Sequence, residues 1–322
     1  MPKRARQTSR PSAVPVTVAD LVRHAVRRFR ANKLVFAHGT TDPVAEAAFL
    51  VGEVLGRPPE RFNATSRARV GAAPRAEILR LIDQRVRTRK PAAYLMRKSY
   101  LQGVPFYVDE RVIVPRSFIA ELLAGELFGD DGLALIDAAR VTRVLDLCTG
   151  SGCLAILAAL RFPQAIVDAV DVSQDALDVA AINVANHGLA DRVRLHRGDL
   201  TAPLGDARYD LIITNPPYVD APGMAGLPPE CRHEPALAFD GGPDGIALVR
   251  RIIDTAPRHL AEGGGLLCEV GRGRDAVERA WPRTSFLWLD TEASSGEVFW
   301  IDATATGLAI TPGAPAPSRS PR

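Results

Sequence analysis

Residues 214–220 read Thr-Asn-Pro-Pro-Tyr-Val-Asp and follow Tyr209-Asp-Leu-Ile-Ile213, an apolar run of the kind that forms a buried strand. Prolines end strands routinely because they have no N–H to give to the ladder. The chemistry lies in the flanking Asn215 and Tyr218. Pro216 holds Asn215 extended, and Pro217 holds Pro216 in the same way. The loop should therefore present the Asn215 side-chain oxygen beside the Pro216 carbonyl, with Tyr218 as an aromatic wall. Two adjacent acceptors match an –NH₂ group, which has two hydrogens to give.

A second constellation begins at Asp146-Leu-Cys-Thr-Gly150-Ser-Gly152-Cys-Leu-Ala155, between a strand-like run and an apolar helix. Gly150 and Gly152 allow a tight turn and close approach of a ligand, and Gly150-x-Gly152-x-x-Ala155 fits the loose dinucleotide fingerprint. Asp171 closes the next strand, where a carboxylate can accept hydrogen bonds from ribose hydroxyls. From this stretch alone, an NAD enzyme and a bare strand-to-helix turn both stay open.

These residues need a frame. From Val141 onward, VTRVLDL, AIVDAVDV, VRLHRG, YDLIIT, GLLCEV and SFLWL are strand-like, with helical stretches between most of them. That alternation predicts an α/β fold with a mostly parallel, doubly wound sheet; EVFWID (297–302) would add an antiparallel strand at or near its edge. Residues 17–98 have helical periodicity, with Thr17, Asp42-Pro43 and Pro74 as helix starts. Residues 100–114 read as a β-hairpin turning at Asp109-Glu110, followed by a connecting helix from Phe118 to about Phe128. The predicted organisation is a basic disordered tail over 1–16, a helical domain over 17–98, hairpin and connecting helix over 99–128, a catalytic domain over 129–306 and a disordered tail over 307–322.

Hydrophobic content of 47% and charged content of 24% fit an ordinary globular chain without a membrane span. The basic N-terminus has no apolar stretch behind it and does not read as a secretory signal. Cys148, Cys153, Cys231 and Cys268 form no CxxC pair and have no histidines at ligand spacing, so no metal site is expected, and reduced thiols in a cytoplasmic protein are. Charge is unevenly spread: residues 1–100 hold 21 of the 40 Lys and Arg but 7 of the 37 Asp and Glu. That imbalance suggests contact with a polyanion such as nucleic acid, with a solvated arginine-rich surface as the alternative.

The loop DLCTGSGCLAI resembles the cofactor loop of class I S-adenosylmethionine-dependent methyltransferases. The resemblance implies a Rossmann-like fold and a cofactor held by Asp146, Thr149, Gly150, Gly152 and Asp171, with Asp199 at the adenine and Asn215 nearby. The Asn-Pro-Pro-Tyr stretch resembles that of methyltransferases acting on adenine N6, cytosine N4 or a glutamine side-chain amide. It implies catalytic roles for Asn215, Pro216 and Tyr218, with Pro217 and Arg116 also at the substrate.

From Thr17 to Ile301 the chain resembles the protein-(glutamine-N5) methyltransferases, which modify either the Gly-Gly-Gln loop of release factors or large-subunit ribosomal protein L-three. Ser117 and Phe118 after Pro115-Arg116, and Arg232-His233, lean to the ribosomal type. Glu234-Pro235 and Gly242-x-x-Gly245 fit both, and Arg116 and Glu121 would line the cleft. The basic half would then meet ribosomal RNA or an assembling subunit. The alternatives are a release-factor enzyme, a DNA or RNA amino-methyltransferase, and a non-catalytic ribosome-assembly factor. The first part of the chain leaves little room for a DNA target-recognition region, and an intact amide clamp has no use in a pure binder.

Overall fold

The structure, a computed structural model, describes residues 16–128 and 135–302. The two predicted tails, apart from Val16, and the outer limits of the expected catalytic domain lie outside the described residues. The chain divides after Met96 into two compact units.

In the first unit, α1 (Val18–Ala31) starts at Thr17 with a reciprocal cap: Asp20 N–H donates to Thr17 Oγ1, and Thr17 N–H to Asp20 Oδ2, both at 3.2 Å. Its stripe of Leu21, Val22, Ala25, Val26 and Phe29 is buried. Helix α2 (Pro43–Val54) is capped by Asp42. Helix α3 (Ala72–Thr88) begins two residues before the expected Pro74, which the first turn tolerates because its N–H would have no intrahelical partner. Arg85, fully buried in α3, donates to Glu46 of α2 at 2.6 Å. Helix α4 (Ala92–Met96) ends the unit.

The second unit opens with a hairpin of β1 (Ser99–Leu101) and β2 (Val104–Phe106). Its turn is Gln102-Gly103, not Asp109-Glu110: φ is +51° and +73° at these positions, as a two-residue primed turn requires. Asp109 instead accepts from Arg111 N–H, the Arg111 guanidinium and the Tyr107 hydroxyl. Arg111 holds this carboxyl down at about 2. The connecting helix α5 is Phe118–Ala124, capped by Ser117 and shorter than expected because the chain leaves the α-helix at Gly125.

Then follow β3 (Arg143–Leu147), α6 (Cys153–Arg161), β4 (Ile166–Asp171), α7 (Gln174–Asn186), β5 (Val193–Arg197) and β6 (Tyr209–Thr214). After these come α8 (Ala221–Ala225), α9 (Ala247–His259), β7 (Leu260–Glu269), α10 (Arg274–Ala280), β8 (Leu287–Asp290) and β9 (Ser295–Asp302). The strands order β5-β4-β3-β6-β7-β9-β8, and the first five are parallel. Strand β9 runs antiparallel to β7 one place in from the edge, and β8 closes that edge. Successive strand residues face opposite layers. Val144, Val167, Leu211 and Leu267 pack with α5 and α6, while Leu145, Leu147, Ile212 and Leu266 pack with α9.

Chain direction across the sheet reverses at β3, so a crevice opens at its carboxyl end, between the loops that follow β3, β4 and β6. Asn183 of α7 braces the near wall of that crevice. Its Oδ1 accepts from Tyr107 N–H at 2.7 Å, and its Nδ2 donates to the carbonyls of Tyr107 at 3.0 Å and Ser151 at 2.9 Å. Because the side chain is fully buried, Asn183→Ala is expected to destabilise the fold by about 2–3 kcal/mol, read by denaturant unfolding.

Candidate active site

The loop after β3 packs three left-handed residues into five positions: φ is +58° at Cys148, +56° at Gly150 and +78° at Gly152. Cys148 adopts this conformation against the cost to its Cβ, a strain of the sort found at functional sites. A Cβ on Gly152 would lie 3.1 Å from that of Ala180, whereas one on Gly150 would meet nothing within 4 Å. Gly150 is thus required by its backbone angle, and the space beside it is open.

Asp146 sits under this loop with no solvent exposure. Its Oδ2 accepts from the Thr149 hydroxyl at 2.5 Å and from Ala155 N–H at 3.0 Å. Its Oδ1 is buried without a hydrogen-bond partner among the described residues. Burial pushes the carboxyl up to about 7. Asp171 takes Gly150 N–H on Oδ2 and Ser173 N–H on Oδ1, both at 2.9 Å, and burial raises its carboxyl as well. A ligand bringing an ammonium group to Asp146 and hydroxyls to Asp171 fits this donor set, since the orphaned oxygen lacks a donor and each Asp171 oxygen keeps a second lone pair. Thr149 serves Asp146 through its hydroxyl. Asp199 is exposed, and Arg251 donates to it at 2.8 Å.

The loop after β6 begins at Thr214, whose hydroxyl donates to the Leu147 carbonyl at 2.9 Å. Asn215 Nδ2 donates to the Arg116 carbonyl at 3.4 Å, so the amide's nitrogen is engaged and Oδ1 is left as an acceptor. Pro216 is buried, and Pro217 is half-buried. Glycines bed the backbone of Tyr218: a Cβ on Gly241 would lie 2.7 Å from Tyr218 Cα, and one on Gly245 2.6 Å from the Tyr218 carbonyl oxygen. Under the ring, a Cβ on Gly271 would come within 2.6 Å. The Tyr218 hydroxyl donates to Glu269 Oε1 at 3.2 Å.

Arg116, expected at the substrate, gives its guanidinium to Glu234 through two bonds of 2.9 and 3.0 Å, and its carbonyl to Asn215. Glu121 turns to the backbone N–H of Glu292. His233 closes a short 3₁₀ turn. The structure therefore brings Asp146, Thr149, Gly150, Gly152 and Asp171 into one loop cluster, and Asn215 to Tyr218 with Arg116 into another. Asp199 hydrogen-bonds to neither, but the residue before it, Gly198, donates its N–H to the Asp171 carbonyl at 3.0 Å. Glu269 was missed by sequence reasoning; its one signal is an acid closing the apolar run Leu266-Leu267-Cys268 at the sheet's carboxyl end. Gly241 and Gly271 were missed too, because their reason is the approach of Tyr218 from a distant segment.

Burial pushes Asp146 and Glu269 up to about 7 in the fold, above their ordinary 3.8 and 4.5. Folding therefore takes up protons between about pH 4 and about pH 7, so the stability these groups contribute is full at the acid end and falls as pH rises. Asp146→Asn removes one of them. Its thermal midpoint is expected to fall less than the parent's across that window; an equal or steeper fall would contradict the assignment.

A family model described as methyltransferase small domain matches residues 133–225. The ribosomal protein uL3 glutamine methyltransferase of Bradyrhizobium diazoefficiens is 63% identical over 316 residues, spanning 94% of this chain and 99% of that one. The protein of the same name from Bordetella pertussis is 51% identical over 88% of this chain and 94% of its own. That from Neisseria meningitidis serogroup B is 45% identical over 88% and 92%. Matched in this way over 88–94% of its length, the chain belongs to the ribosomal protein uL3 glutamine methyltransferase family.

Proposed function

We propose that this protein transfers a methyl group from S-adenosylmethionine to the side-chain amide nitrogen (N5) of a glutamine in ribosomal protein uL3, the L-three protein of the large subunit. The observation that carries the chemistry is the direction of the Asn215 amide: with Nδ2 turned to the Arg116 carbonyl, Oδ1 is the atom offered to a ligand.

A glutamine amide is a poor nucleophile, because its nitrogen lone pair is delocalised into the carbonyl. Asn215 Oδ1 and the Pro216 carbonyl accept its two N–H groups and fix the nitrogen. Pro217 stiffens the loop, and Tyr218 walls the amide from water, which strengthens both hydrogen bonds. Held in this way, the reaction draws mainly on proximity and orientation, a contribution of ~7–11 kcal/mol. S-adenosylmethionine, when bound, supplies a methyl group on a sulfonium. Asp146 Oδ1 would hold its ammonium end, Gly150 and Gly152 would pass beneath the nucleoside, Asp171 would take the ribose, and Asp199 would meet the adenine. Arg116 acts as a brace for residues 114–118 and for Asn215. The amide proton leaves once methylation has made the nitrogen acidic.

Residues 129–306 form the catalytic domain and residues 17–98 a docking domain in this reading. The first hundred residues hold over half of the chain's basic side chains, and Arg23, Arg27 and Arg30 are exposed along one stripe of α1. Ribosomal RNA of an assembling subunit is the polyanion they would meet, in the cytoplasm. No helix among the described residues is long and apolar enough to cross a membrane.

Methylation of purified, unmodified uL3 tests the reading. Asn215→Ala is expected to lower kcat by about 10²–10³-fold while cofactor affinity stays within about threefold; near-normal turnover would overturn the clamp. Asp171→Ala is expected to weaken cofactor binding about tenfold or more, by calorimetry, and unchanged affinity would overturn the ribose assignment. Binding to precursor particles should weaken steeply with added salt if phosphates supply the contacts; salt-insensitive binding would sink the docking role.

A further inference from the structure

Glu269, the last residue of β7, has 1% of its surface exposed and no role in the chemistry derived above. Its two oxygens serve two different segments. Oε1 accepts from the Tyr218 hydroxyl at 3.2 Å. Oε2 accepts from the Ser117 hydroxyl at 2.6 Å and from Phe118 N–H at 2.9 Å. Ser117 and Phe118 directly follow Arg116, whose carbonyl holds the Asn215 amide. One carboxylate is thus linked to both sides of the clamp: directly to the aromatic wall, and through one intervening peptide to the residue that aims Asn215.

The surroundings leave these segments little slack. Gly271, with φ of +51°, puts its backbone against the Tyr218 ring so closely that a Cβ would sit 2.6 Å from it. The same ring is therefore wedged on one face and tethered at its hydroxyl. On the other side, Glu234 takes Val114 N–H at 2.8 Å together with the Arg116 guanidinium. Segment 114–118 is pinned by one carboxylate at each end, with the carbonyl that Asn215 uses between them. A buried carboxylate bears a desolvation cost, and its three donors offset that cost only while they stay in place.

We propose that Glu269 is a positioning residue for methyl transfer, which sets the Tyr218 wall and the Asn215 acceptor in register with each other. The inference rests on the amide-clamp reading above. It assigns Glu269 no contact with the substrate or the cofactor, so its effect belongs in turnover and not in cofactor affinity.

The test uses the full-length enzyme, unmodified uL3 and S-adenosylmethionine. Glutamine has the shape of glutamate but one acceptor oxygen in place of two and no charge, so in Glu269→Gln one segment meets an –NH₂ where it had a carboxylate oxygen. It is expected to lower kcat about tenfold or more, with cofactor Kd within about threefold and the thermal midpoint close to the parent's. Tyr218→Phe cuts the same link from the other end. In the double variant the two losses should fall well short of multiplying, since both remove one connection.

Parent-like kcat in Glu269→Gln would overturn the proposal. So would a fall in cofactor affinity matching the fall in kcat, which marks general structural damage, or losses that multiply in the double variant. If Glu269→Gln does not fold, Ser117→Ala and Tyr218→Phe each remove one donor to the carboxylate. Both are then expected to lower kcat with cofactor affinity kept, and unchanged kcat in both would overturn the proposal. A parent enzyme that leaves uL3 unmethylated would overturn the proposed uL3 reaction, and this inference with it. An active parent beside an equally active variant overturns the role of Glu269 alone.

Discussion

A side-chain amide has one donating and one accepting end, and the site depends on which end of Asn215 faces out. The bond from Asn215 Nδ2 to the Arg116 carbonyl decides this. That carbonyl belongs to a segment almost a hundred residues earlier, held in place by Glu234 and Glu269. Residues 214–218 supply the acceptors, but their direction is set by residues 114–118. The strands bring the two stretches together because β6 and β7 are neighbours with their carboxyl ends aligned. Glu269 at the end of one therefore lies beside Tyr218 just beyond the end of the other.

Several features of the site run against stability. Cys148 holds a left-handed conformation without being glycine, the Asp146 carboxyl is buried with one oxygen unpartnered among the described residues, and Glu269 is sealed from water. Each is unfavourable in isolation, and the close packing around the sheet tolerates them. Such departures cluster where a chain keeps groups ready for a ligand. Asp146 illustrates the logic: burial favours its neutral form, whereas a cationic ligand group would favour the charged one. In the other unit, Arg85 and Glu46 are also buried, but they satisfy each other. Paired burial there makes a structural contact, and unpaired burial at Asp146 makes a candidate binding group.

Local chemistry was legible in the sequence, and chemistry assembled across the fold was less so. The caps at Thr17 and Asp42 act within one turn of helix, and the alternation from Val141 onward specifies a doubly wound sheet. The glycine loop and Asn-Pro-Pro-Tyr carry their reasons in adjacent residues. The hairpin was misplaced because Gln102-Gly103 is a weaker turn signal than Asp109-Glu110 between apolar runs. Both residues of the true turn have positive φ, which Gln rarely adopts. Gly245 was noted only as part of a resemblance; its physical reason, the Tyr218 carbonyl against it, required the fold. Arg116 was placed at the substrate by resemblance; that its guanidinium is engaged by Glu234, a partner 118 residues away, required the fold.

In the proposed reaction a glutamine of uL3 receives one methyl group from this protein. Intact-protein mass spectrometry of ribosomal proteins and release factors, from cells with and without the gene, tests it most directly. The account predicts that uL3 alone becomes lighter by one methyl group when the gene is absent. An unchanged uL3 mass, with the methyl lost from a release factor instead, would contradict the substrate while leaving the amide chemistry in place. No change in either would contradict the account as a whole.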